Sequence, residues 1–329
     1  MFNQRSALVN IRKLAQDDLS SMDLVIQSRL QGKEQLVQDI TCHIINSGGK
    51  RLRPILSILS AKLFDYQGSR HINLSAAVEF IHTATLLHDD VVDRSNLRRG
   101  RPTANKNWDN KSSILVGDFL FSQSFVLMAE DGEPEVLKIL SKAATIIAEG
   151  EVKQLSSIAN LELTIDNYLQ IISAKTAELF AAACQVGAIV ANVDQRLRLA
   201  MYNFGLNLGI AFQIMDDILD YMAEGVVLGK NIGDDFQEGK VTLPIIIVYG
   251  LSDHNERNFW DRVMSCKIQK KEDFNMALDI LNKYHIMEQC LDMAKDFTNK
   301  AKQYIAMAPD NKIKSALIDV LDFSIERQF

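Results

Sequence analysis

Apolar residues return every three or four positions along nearly the whole chain, and strict alternation is almost absent. That period predicts helices and very few strands. It places helices near 5–30, where Leu8, Ile11, Leu14 and Leu19 share a face, and near 34–46. After Gly48-Gly49 the pattern resumes from about 53 to 66, turns over 67–72, and runs as a long apolar helix from about 73 to 93. Residues 94–111 are polar and include Arg94, Arg98, Arg99, Gly100, Arg101 and Pro102, so they read as a loop. A helix over 112–129 stops at Asp131-Gly132-Glu133-Pro134. Further helices are predicted near 134–158, 165–191 and 194–222, then a charged, Gly-containing loop over 223–240. Pro244 opens another helix, and short amphipathic helices fill the last third. No low-complexity linker or fixed-period repeat divides the chain, so one all-α domain over residues 1–329 is expected.

Composition narrows the class. The 329 residues are 47% hydrophobic and 24% charged, which suits a globular protein with a sizeable core. A net charge of −6 gives no basic field, so nucleic acid is not an expected partner. Cys42, Cys184, Cys266 and Cys290 show no CxxC spacing and read as buried thiols in a reducing compartment. The first residues lack the apolar block of a signal peptide, and no apolar run reads as a membrane span. A cytoplasmic protein is expected.

Two acidic clusters carry the candidate chemistry. The first is Asp89-Asp90-Val91-Val92-Asp93, at the end of an apolar helix. Asp89 and Asp93 are four apart and share a helix face, which costs a helix a few tenths of a kcal/mol through like-charge repulsion. The second is Asp216-Asp217-Ile218-Leu219-Asp220, set among apolar residues where an unpaired carboxylate is expensive. One such cluster could be a solvated helix end. Two of them suggest carboxylate walls around a hard cation such as magnesium. All six aspartates are therefore candidate metal residues.

Cations supply the complement. Gly48-Gly49-Lys50-Arg51-Leu52-Arg53-Pro54 places three of them after a Gly pair and before a helix, a natural anion site or else a solvated basic turn. Arg98 and Arg99 follow the first aspartate cluster and could hold phosphate through bidentate contacts. Lys175 interrupts an apolar helix, and Lys230 and Lys240 bracket the loop after the second cluster. Alone, each of these three reads as a surface charge. His82, two turns before Asp89, could donate to a phosphate or sit as a core histidine.

Taken together, GGKRLRP, LLHDDVVD, RRG, Lys175-Thr176, FQIMDDILD and GKNIGDDFQEGKVTLP resemble, in their order, the motifs of the trans-isoprenyl diphosphate synthase (polyprenyl synthetase) family. The likeness runs from about residue 45 to 250. It implies antiparallel helices around a deep central cavity, a homodimer, and three magnesium ions. By the same resemblance, Asp89 and Asp93 hold two ions and Asp216 the third. Arg98, Lys175, Lys230 and Lys240 grip an allylic diphosphate, with Thr176 and Gln213 nearby. Lys50, Arg53, His82 and Arg99 bind isopentenyl diphosphate, and Arg51 belongs to the same basic turn. The implied reaction ionises the allylic C1–O bond and lets the isopentenyl double bond capture the cation.

In this family bulky residues four and five positions before the first aspartate stop the product early. Here those positions hold Thr85 and Ala84, so a long product of about C40, of the kind used for quinone side chains, is expected. Phe125, seven residues after Asp118, resembles the floor residue of octaprenyl-type enzymes, or is simply core. Peripheral membrane contact would come through the greasy product. Competing readings are a shorter-chain synthase, a class I terpene cyclase, which would not need Lys50, Arg53 and Arg99, an HD-type phosphohydrolase using His88-Asp89, and a non-catalytic synthase subunit.

Overall fold

A computed structural model describes residues 4–222, 233–266 and 268–326. The predicted helix at 5–30 is two helices, α1 (Gln4–Leu14) and α2 (Gln16–Leu30), divided at Ala15. Next come α3 (Gln35–Asn46), α4 (Leu52–Leu63) and α5 (Arg70–Val92). The 94–111 segment is not all loop. It holds a two-residue antiparallel ladder, β1 (Leu97–Arg98) with β2 (Arg101–Pro102), and a short helix α6 (Ala104–Asn107).

α7 (Asn110–Asp131) starts where Asp109 accepts from the Ser112 amide at 2.7 Å and stops at Gly132, whose φ of 75° is left-handed. Pro134 opens α8 (Pro134–Ser157) from its first turn. The predicted 165–191 helix is α9 (Ile165–Ile172) and α10 (Glu178–Val190), joined by a π-helical turn over Ser173–Ala177. α11 (Gln195–Met222) carries the second aspartate cluster. Then follow α12 (Asp234–Glu238), α13 (Leu243–Leu251), α14 (His254–Trp260), a second π turn at Asp261–Ser265, α15 (Asp273–Lys283), α16 (Ile286–Ile305) and α17 (Lys312–Ile325).

Three apolar clusters hold these helices. One joins α2, α3, α5, α7, α8 and α10 through residues such as Phe80, Leu120 and Leu140. A second binds α9, α11 and α13–α16 around Trp260 and Ile214. A third packs α1, α4, α10, α11, α16 and α17 around Phe204 and Leu317. Each fully buried Phe or Leu contributes roughly 1.5–3 kcal/mol against exposure.

Small residues let the helices close around the first π turn. A Cβ on Gly150 would lie 2.8 Å from Ala174 Cβ, and one on Gly209 would lie 2.5 Å from Ala177 Cα. α8 and α11 can therefore approach the segment that carries Lys175 and Thr176. α7 is long and apolar enough to cross a membrane by length and composition, contrary to expectation, because Asp118 is the one charge in its central stretch. Only 39% of that apolar window is buried.

Candidate active site

The α5, α8, α9 and α11 helices, together with the Gly48-Gly49 turn, the β1–β2 loop, α12 and α17, surround one cavity of about 960 Å³. Asp89, Asp93, Asp216 and Asp220 line it, as do Lys50, Arg53, His82, Arg99, Lys175 and Lys240. Residues far apart in the chain thus meet in one space.

The acidic walls are strained electrostatically. Burial pushes the Asp89 carboxyl upward, Asp93 adds to the push, and Lys175 pulls against it. Lys175 Nζ is 4.0 Å from Asp89, and Lys240 Nζ is 3.6 Å from Asp93. Lys240 also meets Glu238 at 2.6 Å. These acids raise its pKa although burial works in the other direction. Asp216 is exposed, at the cavity face of α11.

Two of the six aspartates, Asp90 and Asp217, are buried and engaged by neighbouring donors, and of these two Asp217 also lines the cavity. Asp90 is buried and does not line the cavity; its Oδ1 accepts from Arg98 Nε at 2.9 Å and Nη2 at 2.8 Å. One residue along a helix is about 100° of rotation, which turns Asp90 off the face of Asp89. Asp217 is buried too. It accepts from the Tyr168 hydroxyl at 2.6 Å and the Gln213 amide at 2.8 Å. Burial pushes its carboxyl well up, with Asp235 adding to the push, while those two donors oppose it. Asp220 is divided between duties: it lines the cavity and accepts from the Asp235 amide at 3.1 Å, holding the start of α12.

The basic end is built around Gly49, whose φ of 144° only glycine adopts readily. A Cβ there would lie 2.4 Å from Arg99 Nη1, so the absent side chain is what lets Arg99 reach the turn. Lys50 Nζ lies 5.6 Å from the Phe212 ring centre and 5.2 Å from that of Phe323. Arg53 stacks on Phe180 at 4.5 Å and meets His82 Nε2 at 3.2 Å. Burial lowers the Arg53 pKa to about 10, which still leaves it charged at neutral pH. Burial, then Arg53 and Arg99, drive His82 well below the usual imidazole range, so it is neutral and accepts from Arg53. Arg51 pairs with Asp23 of α2, so it ties the basic turn to the scaffold. Lys230 lies outside the described residues.

The chain-length residues separate. Thr85 lines the cavity. Ala84, five positions before Asp89 and therefore about 140° around the helix, is fully buried against the α7 core instead. Phe125 does not line the cavity. It shares the outward face of α7 with Asp118, is 36% exposed, and meets Phe121 edge-on at 5.3 Å. His88 also points to α7, 3.4 Å from Asp118, while His43 and His71 sit by Pro102 and Asp18. The HD-type reading loses its histidines.

Several site residues escaped motif reading. Glu151 and Gln154 on α8 each accept from Lys175 Nζ at 2.7 Å. Glu79, buried among Arg51, Arg53 and Arg99, faces the basic end. Its place inside the apolar run Ala76-Ala77-Val78-Glu79-Phe80 was a usable signal, since a carboxylate there needs partners.

Burial and Asp89 push Glu151 up to about 7. The folded state then binds more protons than the unfolded chain between the ordinary carboxyl range and about pH 7. Stability of the ligand-free protein should therefore fall as pH rises through that window. Melting temperatures from pH 5 to 8 should show the decline, and Glu151→Gln should flatten it. An unchanged slope in the variant would contradict the assignment.

The assembled elements, a helical shell around a cavity with two aspartate walls and a basic end, match a known class. The sequence profile described as polyprenyl synthetase matches residues 34–281, and the chain belongs to that family. It is 37% identical over 323 residues to octaprenyl diphosphate synthase of Escherichia coli, covering 97% of this chain and 99% of the relative. The solved decaprenyl diphosphate synthase of Rhodobacter capsulatus superposes with a TM-score of 0.93 at 44% identity, covering 97% of this chain and 98% of its own. A polyprenyl synthase of Caulobacter crescentus, solved with calcium and isoprenyl diphosphate, gives a TM-score of 0.94 at 44% identity over 97% of this chain and 98% of its own.

Proposed function

We propose that the chain is a long-chain trans-polyprenyl diphosphate synthase that adds isopentenyl diphosphate repeatedly to an allylic diphosphate, supplying a quinone side chain. The observation that carries this is the meeting of two aspartate walls and two cation groups in one cavity. A terpene cyclase would not need the second cation group of Lys50, Arg53 and Arg99. The spread of the lining from Leu8 to Phe323 supports one functional domain over the chain.

The donor set fits magnesium. Carboxylate oxygens of Asp89, Asp93 and Asp216 are hard ligands, and the upward push on Asp89 is a cost that a cation would relieve. Among the described residues no three His, Cys, Asp or Glu side chains form a cage by themselves. Substrate diphosphate oxygens and water would complete the coordination, as suits this ion. The cation and isoprenyl diphosphate bound by the Caulobacter relative support the same reading. Three ions, two on the α5 wall and one on Asp216, are the arrangement we propose.

When bound, magnesium neutralises charge that develops on the departing diphosphate. Lys175, Lys240 and Arg98, all in the cavity lining, would orient that group. Lys50, Arg53 and Arg99 hold the second diphosphate at the opposite end, so the isopentenyl double bond faces the allylic C1. The C1–O bond breaks, the new C1–C4 bond forms, and the proton lost from C2 leaves with the released diphosphate. The apolar lining of Leu86, Ile171, Ile172 and Phe180 keeps water from the cation.

The test is the purified chain with an allylic primer, isopentenyl diphosphate and magnesium, with products sized by chromatography. A product near C40 is expected, and a C15 or C20 endpoint, or none, would overturn the reading. Thr85→Phe should shorten the product by at least two isoprene units, because a ring there enters the cavity one turn from Asp89. Phe125→Ala should leave the length unchanged.

The exposed apolar side chains of α7, Leu115 at 67% exposure and Phe125 and Val126 about three turns further along, support a homodimer in which a second copy covers this helix. Sedimentation should give twice the 37.0 kDa chain mass. A cytoplasmic enzyme that touches membranes through its product completes the proposal.

A further inference from the structure

We infer that Gln269 is a positioning residue for Lys240: it braces α12 as a strut between the two aspartate walls, and so fixes where the lysine meets the allylic diphosphate. This rests on the prenyl-transfer reading and deepens it.

α12 spans the gap between the walls. At its start the Gly233 amide donates to the Asp220 carbonyl at 2.9 Å, and the Asp235 amide donates to Asp220 Oδ2 at 3.1 Å, so this end is tied to α11. At its other end Gly239 has a φ of 71°. The Gly239 amide donates to the Phe236 carbonyl at 3.1 Å, and the Lys240 amide to the Asp235 carbonyl at 2.9 Å. This Schellman closure turns the chain so that Lys240 Nζ faces Asp93 of the opposite wall at 3.6 Å. A helix of five residues does not hold such a geometry by itself.

Gln269 supplies what a single turn lacks. Its amide group carries two N–H donors, and both are used. Nε2 donates to the Phe236 carbonyl at 2.8 Å and to the Val263 carbonyl at 3.0 Å. The first carbonyl is the one that closes the turn before Lys240, and the second belongs to the second π turn. Gln269 is gripped from both sides. Arg262 Nη1 donates to the Ile268 carbonyl at 2.8 Å, and the Lys270 amide donates to Asp273 Oδ2 at 2.6 Å. Arg262 and Asp273 are themselves joined by two bonds, at 2.7 and 2.8 Å. A parallel contact steadies the next carbonyl along. The Ala159 amide donates to the Gly239 carbonyl at 3.1 Å, and the Ala159 carbonyl accepts from Ser265 Oγ at 3.1 Å. Ala159 has a φ of 63°, which a residue with a Cβ enters at a cost, so its neighbours hold it there. Neither Ser265 nor Gln269 lines the cavity, whereas Lys240 does. Their influence on substrate must pass through α12 and the cation it carries.

A double-variant cycle separates aiming from general support. Gln269→Met keeps the volume and removes both donors. Its affinity for a poorly ionising allylic thiodiphosphate with magnesium, read by calorimetry, should fall about fivefold, the scale of one neutral hydrogen bond. Isopentenyl diphosphate affinity should change less than twofold. In a Lys240→Met background the same Gln269→Met change should alter thiodiphosphate affinity less than twofold, because the group it aims is gone. Ser265→Ala should weaken thiodiphosphate binding about threefold and Ser265→Thr should restore it; this pair decides the matter if the methionine variant does not fold. A fivefold loss that persists without Lys240, an equal loss of isopentenyl diphosphate affinity, or parental thiodiphosphate affinity in Gln269→Met would overturn the inference. Failure of the unmodified protein to prenylate any allylic primer would instead sink the reading on which it rests.

Discussion

Asp89→Asn should lower kcat about a thousandfold while leaving the ligand-free protein at least as stable as the parent. The two halves share one cause. In the ligand-free protein Asp89 is a mostly buried carboxyl pushed upward by desolvation and by Asp93, against the pull of Lys175. A neutral amide of the same shape removes that repulsion, so the melting temperature should hold or rise. The charge that destabilises the empty site is the one a divalent cation requires, and such stability–activity conflicts are usual at working sites. Turnover at saturating magnesium and thermal melting check both halves. A variant retaining a tenth of parental kcat would remove Asp89 from the metal wall.

Arg53→Met should raise the KM for isopentenyl diphosphate about a hundredfold and lower the melting temperature. Its methionine fills the volume beside Phe180, so packing is largely kept. Charge is not. Arg53 is one of three arginines opposing the upward push of burial on Glu79, and it is the donor to His82. Removing one partner of a buried charge group commonly costs about 3–5 kcal/mol because the other charge stays behind. Glu79 would be expected to take up a proton, which limits the loss. Arg53→Met/Glu79→Gln should therefore regain stability but not substrate affinity. A double variant with the same melting temperature as the single one would show that Glu79 and Arg53 are uncoupled.

Helical content and element order were legible because the 3.6-residue period is strong and Gly-Pro breaks are sparse. Ala15 and the turn at 173–177 were not, since neither carries a residue that breaks a helix. A π turn shifts which residues face the cavity without altering composition. The aspartate clusters and the cations near them were legible as motifs, but a motif does not say which carboxylate faces inward. Rotation per residue would have removed Asp90 and Ala84 from the Asp89 face. Phe125 was assigned through its relation to Asp118, whose own side chain is 64% exposed, so the spacing held and the direction failed. Tyr168, Glu151 and Gln154 act across helices, and their partners are set by packing that periodicity does not encode.

The wall near Lys50 is made of pieces from the two extremes of the described chain. Leu8 of α1 and Phe323 of α17 both line the cavity. During synthesis the acidic and basic clusters emerge long before α17 exists. Domains fold as units during synthesis, and here the pocket stays open on one side until α17 is translated and docks. A nascent chain can bury much of its core and still lack a closed place for substrate. Acquisition of activity, followed in a cell-free translation reaction, would then lag behind protease resistance of α2–α8, and the lag would be a direct readout of that final docking step.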